Sequence, residues 1–471
     1  MTPSAPPLPA TAWRRLHPLS PLLRGARLLL VAVVVLGRQS LESLRADGSA
    51  ALPYLVAVPV VLAYAYVQWR TTRWRVEDGD LRLETGVLRH RSRRVPLARL
   101  QAVDLVRPLL ARVTGLAELR LEVVGTSGTE AGLAYLGMGE AERVRAELLR
   151  LAGAADVDTV SSAAGVETGA VTGVPVEAAP ERVLAAVGPA MLLASVVLSG
   201  PAVGAVALTA GLVVAAALGP SQTVPALLGA VVPSLLSTAA VAWRGFAREY
   251  GFRLVETPDG LAVRHGLLET RAQTVPLDRV QALRVVEPAL WRLLPPTREW
   301  VRVQVVVAGY RGGRRGDRRG AETDVLLPVG PRWLAGGIVG RVLPGVVVDV
   351  PTPVRPPRRA RLRAPLSWHR LGLTVGECAV QTTSGVVGRV VDLVPHGKVQ
   401  SHRRMQGPWQ RRLRLATVHI DVAGRPLRAA AHHRDADDAD RVLQELRELA
   451  GAARAAAREG QGRSTPTMVC R

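Results

Sequence analysis

From Val183 to Trp243 the chain carries no Asp, Glu, Lys or Arg, a run of 61 residues dominated by Ala, Val, Leu and Gly. One helix of a water-soluble domain cannot absorb such a run, whereas a bilayer core takes about 20 residues per crossing. Gly219, Pro220, Ser221 and Gln222 interrupt it, so it reads as a helical hairpin over about 185–218 and 224–243. Gly200 and Pro201 place a kink or a re-entrant piece in the over-long first limb.

An earlier pair of apolar segments is shorter. Ala50 to Val67 ("AALPYLVAVPVVLAYAYV") makes one span, ending on Gln68, Trp69 and Arg70 at an interface. Leu28 to Gly37 lies between Arg27 and Arg38 and spans only by borrowing Leu22 and Leu23 while Arg24 and Arg27 snorkel. It has the arginines and apolar run of a signal peptide but no small-x-small cleavage site, so an uncleaved helix is expected. Composition fits spans that alternate with basic domains: 48% hydrophobic and mean hydropathy +0.16, yet net charge +22 and pI near 11.4. Lys398 is the only lysine, and the general Arg bias discounts part of that charge as a functional signal. Arginines flank the spans on one side. Arg14, Arg15, Arg24 and Arg27 precede the first, Arg70, Arg73 and Arg75 follow the second, and Arg244 and Arg248 follow the fourth. By the positive-inside rule both termini and all intervening domains are expected in the cytoplasm, in a multi-pass cell-membrane protein.

The remaining chain repeats itself three times. "RVPLARLQAV" (94–103), "TVPLDRVQAL" (274–283) and "LVPHGKVQSH" (393–402) share V-P-x-x-[Arg/Lys]-[Leu/Val]-Gln. Aligned on Pro96, Pro276 and Pro395, each has a Gly and two aliphatics ten residues upstream: Gly86-Val87-Leu88, Gly266-Leu267-Leu268 and Gly385-Val386-Val387. Twelve or thirteen residues downstream comes a second proline (Pro108, Pro288, Pro408), with Arg112, Arg292 or Arg412 four further on. Strict alternation follows in Leu119/Leu121/Val123, Val301/Val303/Val305 and Val418/Ile420/Val422, the period of a half-buried strand. Hairpin signals precede each Gly: Asp78-Gly79, Pro258-Asp259-Gly260, and the turn around Gly376. Helical stripes end each unit, over 140–151, 333–343 and 435–449. The expected unit is an antiparallel sheet of about seven strands closed by one C-terminal helix. Leu100 and Val103 fall on opposite faces of the motif strand unless a bulge intervenes.

With "LHPLSPL" at 16–22 and the preceding "WRR", these residues resemble the bacterial pleckstrin-homology-like, membrane-flanked domain family of the YdbT type, over nearly the whole chain. The resemblance implies an α+β protein with transmembrane helices. It would hold three pleckstrin-homology-like bent β-sandwich or barrel domains, each capped by a C-terminal helix, plus about four membrane helices in two hairpins. The expected layout is a cytoplasmic or interfacial segment at 1–21, a first hairpin at 22–69, a first domain at 72–152, a linker at 153–182 and a second hairpin at 183–243. A second domain then covers 250–345, a Pro/Arg-rich linker 346–364, a third domain 365–455 and a disordered tail 456–471. The family has no established enzyme activity, and a part in envelope stress or antimicrobial-peptide tolerance has been suggested for it. The chain departs from the pattern where Gly115-Leu116 becomes Pro295-Pro296 and Arg414-Leu415, and at the inserted "RGGRRGDRRG" (311–320).

Pro96, Gln101, Pro276, Gln281, Pro395 and Gln400 are read as fold determinants: a proline opening an edge strand needs no N–H partner, and the Gln bonds backbone across a turn. Arg99, Arg279 and Lys398 are the alternative, the lining of a common binding groove. "RHRSRR" supplies Arg89, Arg91, Arg93 and Arg94 close to a membrane helix, within reach of anionic phospholipid headgroups, where each basic residue contributes about 1 kcal/mol. A solvated basic surface is the other reading of that cluster. Eukaryotic relatives of the fold bind phosphoinositides at the first hairpin, but Glu77, Asp78 and Asp80 occupy it here and argue against that. No aromatic-interleaved or helix-turn-helix pattern supports nucleic acid. Six of nine histidines lie beyond residue 368 without metal-site spacing, Cys378 and Cys470 are isolated, and no nucleophile, phosphate-loop or dinucleotide motif is present. No catalytic residue, metal or cofactor is expected. The chain reads as a non-catalytic, membrane-tethered scaffold for protein partners, a single-domain relative among the candidates, gaining avidity from repetition. The alternative is a membrane enzyme or transporter with its site between the helices, against which stands the absence of any ionisable residue from 183 to 243.

Overall fold

In the computed structural model, the described residues fall within 13–20, 59–85, 91–96, 100–123, 131–148, 182–218, 224–257, 260–307, 324–348, 353–423 and 427–461, with one or two positions missing at some places inside these ranges. The first hairpin, the linker at 153–181, the insertion at 311–320 and the tail beyond 461 lie wholly or largely outside them. The chain divides into two compact units, Met1–Val176 with Glu269–Gln273, and Glu177–Leu268 with Thr274–Arg471.

In the first unit, β1 (Arg14–Arg15), β2 (Arg73–Glu77), β3 (Asp80–Thr85) and β4 (Arg91–Pro96) form one antiparallel sheet. β5 (Leu100–Pro108), α1 (Leu109–Val113), β6 (Leu116–Val123) and β7 (Ala131–Gly137) follow, then α2 over 138–145. Trp74, Leu81 and Val95 from the first sheet pack with Leu119, Leu121 and Leu136 from the second, and Val144 and Leu148 close the core. Seven strands and a closing helix therefore make the first repeat, as the alternation and the helical stripe predict.

The second unit opens with β8 (Arg182–Ala186), then α3 (Pro189–Val197), α4 (Gly200–Leu218) and α5 (Val224–Glu249). β9 (Arg253–Thr257), β10 (Gly260–His265), β11 (Glu269–Val275), β12 (Val280–Glu287), α6 (Ala289–Leu293), β13 (Trp300–Val307), β14 (Asp324–Pro331) and α7 (Arg332–Val342) complete the second repeat. The third comprises β15 (Gly372–Val375), β16 (Ala379–Ser384), β17 (Arg389–Pro395), β18 (Val399–Met405), α8 (Pro408–Arg412), β19 (Leu415–Val422), β20 (Ala429–Asp435) and α9 (Ala436–Gln461). Residues 183–186, which the sequence reading assigns to the second hairpin, belong to a strand: β8 pairs antiparallel with β9, from Arg182 opposite Glu256 to Ala186 opposite Arg253. The apolar helices are thus inserted between the first and second strands of a sheet. No single helix among the described residues is long and apolar enough to cross a membrane. The pair Pro189–Val197 and Ala202–Ala215, bent by 49° beside Gly200, has the length and composition for one crossing when taken together.

The structure explains the repeated motif. In all three repeats the pairing register slips by one residue at the motif Gln, between Leu100 and Ala102, Val280 and Ala282, and Val399 and Ser401. A β-bulge at Gln101, Gln281 and Gln400 resolves the phase conflict in the sequence. The proline closes a strand instead of opening one. Pro96 and Pro395 end β4 and β17, and Pro276 and Pro395 cap short 3-10 turns, whose first position needs no N–H. Gln281 is buried and donates from Nε2 to the Arg279 carbonyl at 3.2 Å, as a turn-spanning Gln should. The upstream glycines Gly266 and Gly385 have φ of 114° and 123°, a conformation closed to other residues. Cys378, isolated in sequence, is disulfide-bonded.

The repeats are not separate beads. In the second unit β17 of the third repeat hydrogen-bonds to β12 of the second, making one six-stranded sheet, β14-β13-β12-β17-β16-β15. Val391 and Leu393 of β17 lie in the core of the second repeat, and Ala282 and Val306 of the second repeat lie in the core of the third. That sheet is a wall shared by two cores, which is why β12 is buried on both faces. In the first unit residues 269–272 of β11 pair with β5 in the same antiparallel manner.

Candidate functional site

Two places in the described structure gather unusual chemistry: the rim of the second unit from which the helices grow, and the strand junctions with their free ends.

The rim is fixed by α5. Its last turns accept hydrogen bonds from the β10–β11 turn, Leu267 N to Ala247 O at 2.7 Å and Gly266 N to Tyr250 O at 2.8 Å. Glu249 at its end pairs with Arg302 of β13. Burial, with Arg248 nearby, brings the Arg302 guanidinium down to about 10. Since Val286 lies opposite Arg302, the C-terminal end of β12 belongs to this rim. There Glu287, only 3% exposed, faces Arg332 at 3.0 Å, Arg389 at 3.6 Å and Arg292 at 3.8 Å. Arg389 comes from the third repeat, so Glu287 ties the shared sheet, the start of α7 and α6 together. Around it stand exposed apolar side chains: Leu293 (70%) at the end of α6, Trp333 (74%) at the start of α7, and Val387 (69%) in the Gly385–Gly388 turn. Arg370 holds that turn through the carbonyls of Val386 and Val387. Apolar tips interleaved with arginines, on the rim that carries apolar helices, have the chemistry of a membrane-interface contact.

The junctions repeat one register. Thr270 lies opposite Arg107, and Arg389 opposite Glu287. In each, the residue six before the first proline meets the residue just before the second. The second junction adds a two-pronged ion pair, Arg284 Nε to Asp392 Oδ1 at 2.6 Å and Nη2 to Oδ2 at 3.1 Å. Sequence reasoning missed Arg284, Glu287 and Asp392. The signal was charge inside the otherwise apolar strands "VQALRVVE" and "RVVDLVP".

Of the basic residues singled out in the sequence, Arg91, Arg93 and Arg94 sit in β4, an edge strand among the described residues. Arg94 is exposed opposite Arg82, whose guanidinium is held by Glu77 at 2.9 Å. Arg89 and Arg99 lie outside the described residues. Lys398 Nζ donates to the Asp278 carbonyl at 2.5 Å, which brings it against the turn that carries Arg279. That contact stitches two repeats together. Gln400 is exposed, unlike Gln281. His419, His432 and His433 gather on β19 and β20, yet no group of three metal-ligating residues forms among the described residues.

The bacterial PH domain family model matches residues 23–152, 184–295 and 326–450. The chain belongs to the bacterial PH domain family. This bacterial PH-domain chain is 22% identical over 348 residues to the UPF0699 transmembrane protein YdbT of Bacillus subtilis (strain 168), covering 67% of its own length and 66% of the relative's. It is a protein of the YdbT type. No solved structure matches it significantly. The three matches agree in number with the three repeats; the second begins inside β8, ahead of the helices, and ends before β13, and the third begins inside β14 of the second repeat.

Proposed function

We propose that this chain is a non-catalytic integral membrane scaffold. It holds three fused bacterial PH domains against the membrane, where they recruit protein partners and touch anionic headgroups. One observation carries the reading: α3–α5 are inserted between β8 and β9, so the apolar helices and the Leu293, Trp333 and Val387 tips share one rim. The relative's description as a transmembrane protein supports membrane attachment. Within the second unit, the sheet shared by the second and third repeats makes one continuous platform, which suits display. A role in envelope stress or antimicrobial-peptide tolerance is the physiological setting we propose for it.

The positive-inside argument orients the domains to the cytoplasm. A C-terminal reporter active on one side only tests that orientation. For the main reading, membranes are extracted with alkaline carbonate. Trp333, kept as the single tryptophan, is then tested for quenching by brominated lipid. The chain is expected to stay in the pellet with Trp333 quenched. Release into the supernatant sinks the integral reading, and an unquenched Trp333 sinks the rim contact.

A further inference from the structure

Among the described residues the junctions leave one strand edge of the same kind without a partner strand. β5 receives residues 269–272 of β11, and β12 receives β17. β18 is their counterpart in the third repeat: its bulge at Gln400 and its pairing with β19 reproduce those of β12 with β13. Among the described residues β18 pairs with β19 alone and forms the edge of a three-stranded sheet. Counting from the bulge, His402 takes the place of Leu283, Arg403 that of Arg284, Arg404 that of Val285, and Met405 that of Val286. At the occupied junction Arg284 meets Asp392. At the unpartnered one Arg403 turns to Asp421 of its own sheet, at 2.6 and 2.8 Å, a carboxylate standing where the second repeat has Val306, and Arg404 turns to Asp440 of α9 at 3.0 Å.

We propose that the β18 edge receives the third strand of a PH domain from a different protein, a strand whose carboxylates take over Arg403 and Arg404 from Asp421 and Asp440. This deepens the scaffold reading and rests on it, since it names the surface and the chemistry of a recruited partner. A second copy of the chain is excluded as the occupant by charge. Its free third strand is β4, and the junction register sets Arg93 against Arg403, with Arg94 against His402. Like charges directly opposite on paired strands are destabilising. The acquired polarity of the edge, His402 and Arg404 in place of Leu283 and Val285, suits an exchangeable partner more than a permanent one.

Charged edges also guard against aggregation whatever their sign, and a reciprocal charge-reversal series separates the two roles. Four forms of the full chain are compared in detergent by mass photometry and light scattering at low and high salt. They are the unaltered protein, R403E/R404E, R93E/R94E, and the combination of all four changes. Each one-sided reversal places acid opposite base. It is expected to tighten self-association at least tenfold at low salt through β18 and β4, with slowed hydrogen exchange confined to β18 and β4. The unaltered and fully reversed chains keep one common, lower assembly state. R93E/R94E leaves β18 untouched, so a folding defect in R403E/R404E does not blunt the test. Four forms with one assembly state, or association that persists in the fully reversed chain, overturn the proposal. Carbonate extraction of the same samples reports on the scaffold reading separately.

Discussion

Arg284 and Asp392 close the second junction with two parallel hydrogen bonds of 2.6 and 3.1 Å. Asp392 is 2% exposed, and burial raises its carboxyl above the usual range despite the pull of Arg284. The arginine keeps a path to water, with 27% of its side chain accessible. The pair is therefore asymmetric. Arg284→Ala strands a buried carboxylate and is expected to cost about 3 kcal/mol, whereas Asp392→Ala leaves a cation that water still reaches and costs about 1–2. The deficit of Arg284→Ala should shrink as pH falls, because the buried carboxyl then takes up a proton ahead of the unfolded one. Replacing both, R284M/D392L, should return to within about 1 kcal/mol of the starting stability. Denaturant unfolding of the four forms checks this; equal and small effects of both alanines would refute the asymmetry.

Gly385 and Gly115 both adopt positive φ but differ in what surrounds them. A Cβ on Gly385 would lie 2.1 Å from the Gly388 carbonyl oxygen, whereas nothing lies within 4 Å of one on Gly115. Gly115→Ala is expected to cost about 1 kcal/mol of backbone strain. Gly385→Ala must in addition reshape the turn that Arg370 holds, and should cost about 2 kcal/mol or more. Melting temperatures of the two variants in one detergent decide it, and the order of the two is the test.

His432 is held in its neutral form. Burial, with His433 and His419 beside it, lowers it to about 4. A depressed histidine binds its proton in the unfolded chain first, so stability is lost as pH falls from 6.5 toward 4. His402 and His433 are shifted in the same direction and act in the same sense. The His432 contribution to that loss is about 3 kcal/mol. Thermal unfolding from pH 7.5 to 4.5 should therefore slope less steeply in His432→Leu than in the unaltered chain. Parallel slopes would remove His432 from the account.

Much of the fold could be read from residues alone because period-two alternation and the closing helical stripes are local signals. Val301, Val303 and Val305 are buried as their spacing predicts, as are Val144 and Leu148. The bulge was visible only as a contradiction in phase around Gln101. What local pattern could not carry was partnership between distant strands. The apolar run "RVVDLVP" does not say that Val391 and Leu393 belong to a neighbour's core, and β8 is too short and too apolar to separate from the helices behind it. The basic candidates came from clusters and the repeated motif, but Arg292, Arg332 and Arg389 were not among them, and Glu287, which organises these three, was overlooked as a single acid in a greasy strand.

The shared wall makes a strong claim about independence. If the third repeat were a separate domain, a chain ending at Gly345 would keep its second repeat intact. Instead that truncation removes Val391 and Leu393 from the core of the second repeat and uncovers Ala282 of β12 and Val306 of β13 on the other face of the sheet. Each lost aliphatic contact costs on the order of 1.5–3 kcal/mol, and Glu287 loses Arg389. The truncated chain also presents an apolar β12 edge, which is a template for aggregation. It is expected to melt well below the full chain, bind hydrophobic dyes and form concentration-dependent aggregates. A monodisperse truncated chain with unchanged hydrogen exchange across β12 and β13 would show that the two cores are separable after all. The six-stranded sheet would then be only an apposition of neighbours.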